Sequence, residues 1–126
     1  MSVKMRYGAT EGLPPENVQI DILWSNASPT SNFAARTVAL DLSKYKAVLI
    51  VATASTSDIN GGTAIGMVGD GITYNIFLHN YNARYAYSYV RSFTVSGNGV
   101  TFTSGLRETT AGDQYAIPRA IYGVRF

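Results

Sequence analysis

The 126-residue chain is one domain long, and with 46% hydrophobic residues it can fill a two-layer sheet core. Only 14% of its residues are charged and the net charge is +2, which excludes a disordered polyelectrolyte. The ten Lys and Arg residues are scattered, unlike the clustered basic face of a nucleic-acid binder. The lack of cysteine excludes disulfides and thiolate metal sites.

Residues 1–17 contain Gly8, Gly12 and the Pro14-Pro15 pair, which break regular elements. They are expected to form an N-terminal arm or linker, with no apolar stretch of the secretory-signal kind. The domain proper is expected over 18–126. Val18, Ile20, Ile22 and Trp24 alternate with Gln19, Asp21 and Leu23, the period of two of a half-buried strand. Residues 25–32 form a turn cluster. Thr37-Val-Ala-Leu-Asp-Leu42 reads as the second strand, and Leu42-Ser-Lys-Tyr45 as a tight turn.

The apolar run Lys46-Ala-Val-Leu-Ile-Val-Ala-Thr53 is β-branched and short, so it reads as a strand buried on both faces at the centre of the sheet; it is too short for a membrane span. Residues 55–62 read as a polar loop, 63–68 as a short strand, and Gly69-Asp-Gly71 as a hairpin turn. A strand over 72–79 and a turn at Asn80-Tyr-Asn82 follow.

Residues 83–95 form a long strand in which a bend or bulge is expected. Its period of two puts Tyr85, Tyr87, Tyr89, Arg91, Phe93 and Val95 on one face. Ser96-Gly-Asn-Gly99 turns the chain into Val100-Thr-Phe-Thr103, the plainest hairpin. Residues 109–112 read as a loop and 113–126 as the closing strand, where Pro118 must sit at an edge, a bulge or the strand start. About eight short strands and no helical periodicity imply an all-β fold: an antiparallel β-sandwich, jelly-roll-like.

Two segments carry a resemblance. One is Ile22-Leu-Trp-Ser-Asn-Ala-Ser-Pro-Thr-Ser-Asn-Phe-Ala-Ala-Arg-Thr-Val-Ala-Leu-Asp-Leu-Ser-Lys-Tyr-Lys-Ala-Val-Leu-Ile-Val51. The other joins Val90-Arg-Ser-Phe-Thr-Val, Gly99-Val-Thr-Phe102 and Tyr115-Ala-Ile-Pro-Arg-Ala-Ile-Tyr-Gly-Val124. Together they resemble the C-terminal domain of tail, tail-fibre or baseplate minor structural proteins from phages and prophages of Gram-positive bacteria. The resemblance covers roughly residues 20–126. It implies a virion module at the distal end of a tail polypeptide, made in the bacterial host cytoplasm, forming a homo-oligomer with a trimer favoured, and contacting host-surface polysaccharide. The alternatives are a bacterial surface carbohydrate-binding module or adhesin, and a polysaccharide depolymerase domain.

The candidate ligand residues are Tyr81, Arg84, Tyr85, Tyr87, Tyr89 and Arg91. Tyrosine stacks on sugar rings and bonds their hydroxyls, and arginine pairs with phosphate or carboxylate. The same tyrosines suit a subunit interface or a cross-strand core. His79 is the single histidine, and no Gly-x-Ser-x-Gly elbow accompanies it; no enzymatic activity is expected. Asp58 and Asp70 flank the Gly61-Gly62 loop and read as turn residues rather than a shared calcium site. No cofactor, metal, nucleic-acid or membrane partner is expected.

Overall fold

The computed structural model describes residues 18–81 and 86–126, apart from the Tyr81 side chain. Among these residues it contains nine strands and no helix: β1 (Gln19–Ser25), β2 (Arg36–Ala39), β3 (Ala47–Ser55), β4 (Gly61–Met67), β5 (Tyr74–Tyr81), β6 (Ala86–Ser96), β7 (Gly99–Arg107), β8 (Thr110–Ala111) and β9 (Tyr115–Arg125). They form two antiparallel sheets, ordered β1-β9-β3-β4 and β2-β7-β6-β5, with β8 paired to β7. This is the expected β-sandwich. Its wrapped character lies in the pairing of β1 with β9 and β2 with β7, while β5, β6 and β7 run as consecutive neighbours.

The core lies between the sheets. Val48, Ile50 and Ala52 of β3 and Ile121 of β9 meet Ile76 and Leu78 of β5, Phe93 and Val95 of β6, and Val100 and Phe102 of β7. Leu42 and Phe33 close it from the connections. Gly66 of β4 sits where any larger residue would collide: a Cβ there would lie 2.7 Å from the Phe93 ring.

Register decides what the alternation of β1 means. Ile20 opposes Val124 and Ile22 opposes Tyr122, and the pairing slips at Leu23. The apolar set expected to be half-buried therefore points outward: Ile20 is 57% and Ile22 59% exposed. Beyond the slip, Trp24 packs against the core. Pro118 lies in a strand interior to its sheet, opposite Ala52, beside the irregularity that leaves Arg119 unpaired, so of the three positions expected for it the bulge is realised. The long strand also has its irregularity, between Arg91 and Phe93. The loop expected at 55–62 is shorter, because Gly61 and Gly62 pair with Thr53 and Ala52. Thr110 and Ala111 form a short strand within the expected 109–112 loop.

The edge of the first sheet is pinned by one carboxylate. Asp21 accepts from the Tyr45 hydroxyl at 2.9 Å and from Arg125 Nε at 3.0 Å. The Tyr45 hydrogen bond and then Arg125 hold the Asp21 pKa below its ordinary value. A depressed carboxylate contributes stability that is complete above its unfolded pKa of about 3.9 and is lost as pH falls through the folded value. The wild-type melting temperature is therefore expected to fall more steeply than that of Asp21→Asn between about pH 4 and pH 2. Parallel melting curves across that window would refute the linkage.

Candidate functional site

Of the expected tyrosine site, the side chains of Tyr87, Tyr89 and Arg91 fall within the described residues. Arg84 and Tyr85 lie outside the described residues, as does the side chain of Tyr81. Tyr89 is buried, packing 5.9 Å from the Tyr115 ring, and burial pushes its phenol pKa up. Tyr87 is half-buried beneath Arg107, whose guanidinium carbon stands 4.8 Å from the Tyr87 centroid and 5.2 Å from that of Tyr115. Tyr74 stacks on Phe93 at 5.7 Å and donates its hydroxyl to Asp70. Tyr74 stands at one end of β5 and Tyr87 opposite the other, and both pack against the core.

Arg91 is 0% exposed. Its Nε donates to Ala116 O at 2.8 Å, Nη1 to Thr103 O at 2.6 Å, and Nη2 to Tyr115 O at 2.8 Å and Asp113 O at 3.3 Å. Desolvation lowers its pKa to about 10, and it stays protonated. A buried guanidinium spent on four backbone carbonyls has no edge left for a ligand, which corrects the expected role of Arg91. It also holds Ala116, whose φ of 49° is unusual for a residue with a side chain.

The other polar groups follow their turns. Asp58 binds Asn60 and Asn80, while Asp70 caps Ile72 N. They stand at opposite ends of β4, a seven-residue strand spanning roughly 23 Å, so they cannot share a cation. Among the described residues no group of three His, Asp or Glu side chains could hold a metal. His79 Nδ1 lies 3.3 Å from Ser88 Oγ, and Glu108 accepts from the Ser88 backbone N–H at 2.6 Å. A hydrolytic triad needs its carboxylate on the imidazole; here it sits on the serine backbone.

The open site lies elsewhere. Trp24, Ser25, Asn26, Asn32, Phe33 and Arg36 line a cleft of about 400 Å³, within the range of small-ligand sites. Residues of the expected 25–32 turn cluster form much of its wall, which the turn pattern alone does not announce. Asn26 holds the loop down: its N–H donates to Arg119 O at 2.9 Å, and its carboxamide donates to Pro118 O at 2.9 Å and accepts from Ser28 N at 2.8 Å. Phe33 N donates to Asp113 O at 2.8 Å. Trp24 and Phe33 meet edge-on at 6.0 Å, and the Arg36 guanidinium carbon stands 4.8 Å from the Phe33 centroid. Arg91 approaches the same ring at 5.2 Å. The signal available in sequence was the Trp24, Asn26, Phe33 and Arg36 spacing within the first resembling segment.

The fold and this cleft define an all-β sandwich domain with a lined surface recess. Comparison of the chain with family models, curated proteins and solved structures returns no match.

Proposed function

We propose that the domain is a virion structural module at the distal end of a phage tail-fibre or baseplate protein, that it works as a homo-oligomer, and that it contributes to host-surface attachment. The two resembling segments support the virion assignment. The observation that carries the reading is the outer face of the β1-β9-β3-β4 sheet. Register aligns Ile22, Tyr122, Leu49 and Ile65 in one row across it, and Ile20, Val124, Ala47 and Met67 in the next. No charged residue interrupts either row. Ile20, Ile22 and Ile65 are each more than half exposed.

A second copy of the chain is the occupant that fits. With Phe126, these side chains leave on the order of 700 Å² open, close to the roughly 800 Å² per partner of a stable interface and above the largest patch of a typical monomer. Apart from Lys46, whose ammonium stands 5.9 Å from the Phe126 centroid, the face is apolar, so copies of it gather about a closed symmetry axis without a charge complement. The opposite sheet contrasts with it: Thr37, Thr94, Thr101 and Thr103 are exposed there, a face that water solvates.

Light scattering at micromolar concentration is expected to return an oligomer, with the trimer favoured. Ile22→Glu combined with Ile65→Glu is expected to yield a folded monomer, while Thr94→Glu leaves the oligomer intact. A wild-type monomer overturns the reading. If that monomer gains hydrophobic-dye binding when residues 1–17 are removed, the face belongs to that segment instead.

A further inference from the structure

We infer that the cleft beside Trp24 binds a saccharide carrying an anionic group, a carboxylate or a phosphate, with Arg36 receiving the anion and the indole of Trp24 packing on the sugar ring. This deepens the attachment reading by naming a place and a chemistry, and it rests on different residues from the oligomer face.

Arg36 has no anionic partner among the described residues. It is exposed at the start of β2, and among the described residues no carboxylate lies within ion-pair distance and no hydrogen bond uses its guanidinium. Its guanidinium carbon lies over the Phe33 ring, 4.8 Å from the centroid. The planar guanidinium presents paired N–H donors, a geometry that matches carboxylate and phosphate and that a lysine ammonium does not reproduce. Arg91, behind the same ring at 5.2 Å, adds positive field, and the Asp113 carboxylate offsets part of it.

The remaining lining suits a polyol. Trp24 is half-buried, 5.9 Å from the Arg36 guanidinium carbon, so an apolar ring surface and a cationic fork share one recess. The Ser25 hydroxyl and the Asn32 carboxamide also make no hydrogen bond to the described protein. A sugar has apolar C–H faces for the indole, hydroxyls for Ser25 and Asn32, and, when acidic, an anion for Arg36. The loop that presents these groups is anchored through Asn26 to the backbone of β9, so the recess is held before any ligand arrives, which reduces the ordering cost of binding.

Trp24 is the only tryptophan, so intrinsic fluorescence reads this cleft directly. Titrations with a glucuronate disaccharide, glucose 6-phosphate and glucose are expected to give saturable changes for the two acidic probes, with Kd near about 1 mM, and at least about tenfold weaker binding of glucose. The two acidic arms separate carboxylate from phosphate recognition. Arg36→Gln is expected to weaken the acidic probes at least about tenfold, equivalent to 1.4 kcal/mol, at an unchanged melting temperature. Should that variant melt early, Asn32→Asp, on the exposed loop, reads the same point by repelling the anion. Equal binding of glucose and glucuronate, or no saturable response to any probe, overturns the inference. An oligomer without acid-dependent binding leaves the virion-module reading standing, and a monomer that binds acidic sugar does the reverse.

Discussion

Arg91→Met is expected to leave the domain without a cooperative fold, read as loss of near-UV circular dichroism and of a urea transition. Methionine approximates the length of the arginine stem, so the variant isolates the guanidinium. The carbonyls of Thr103, Tyr115 and Ala116 lose this donor together, while that of Asp113 keeps the Phe33 N–H. Each orphaned buried acceptor costs about 1–3 kcal/mol, and the sum reaches the roughly 5–15 kcal/mol by which domains are stable at all. The left-handed Ala116, itself costing about 1–2 kcal/mol, loses the donor that holds its carbonyl. Arg91→Lys retains the charge but offers a single donor centre. It is expected to fold with a loss of about 2–4 kcal/mol, in the range found when a buried polar network is broken. A wild-type urea midpoint for Arg91→Met would refute the keystone role.

Gly105→Ala is expected to be nearly as damaging, although it adds one methyl group. A Cβ at Gly105 would run into the carbonyl oxygen of Tyr115, and the Gly112 oxygen would lie 3.0 Å from it as well. The Tyr115 oxygen cannot retreat, because Arg91 Nη2 donates to it at 2.8 Å. Relief must come from moving β9 or tearing that bond, at a cost of about 3 kcal/mol or more, as for overpacking combined with a broken buried network. Urea denaturation of Gly105→Ala, Arg91→Lys and the pair gives the coupling. Because both act on one carbonyl, the double variant is expected to lose at least about 0.5 kcal/mol less than the sum of the singles. Full additivity would place the two residues in separate networks.

Arg91 shows how much of this was legible beforehand. Its parity with Tyr87, Tyr89, Phe93 and Val95 was plain in the sequence, and that face is the inner one. Its charge pointed to solvent or ligand, since arginine is almost never fully buried unless paired. Its partners are carbonyls of β7, of β9 and of the chain just before β9, 12 to 25 residues away, and no local pattern announces them. The same holds for Tyr87 and Tyr89: alternation identifies their shared face, not which side it turns to. The cleft was less legible still. Its lining spans residues 24–36, but the loop takes its shape from bonds to Pro118 and Arg119.

Most strands, the turns between them and the alternation of faces are written locally, because side-chain period, β-branching and turn chemistry act over a few residues. The orientation of those faces depends on how the strands pair. Pairing between strands as distant as β1 and β9, with a slip at Leu23 and a bulge beside Arg119, turned Ile20 and Ile22 outward. The irregularity after Arg91 and the left-handed Ala116 set a guanidinium among backbone carbonyls. Register is a property of two segments brought together, and a one-residue shift exchanges inside for outside.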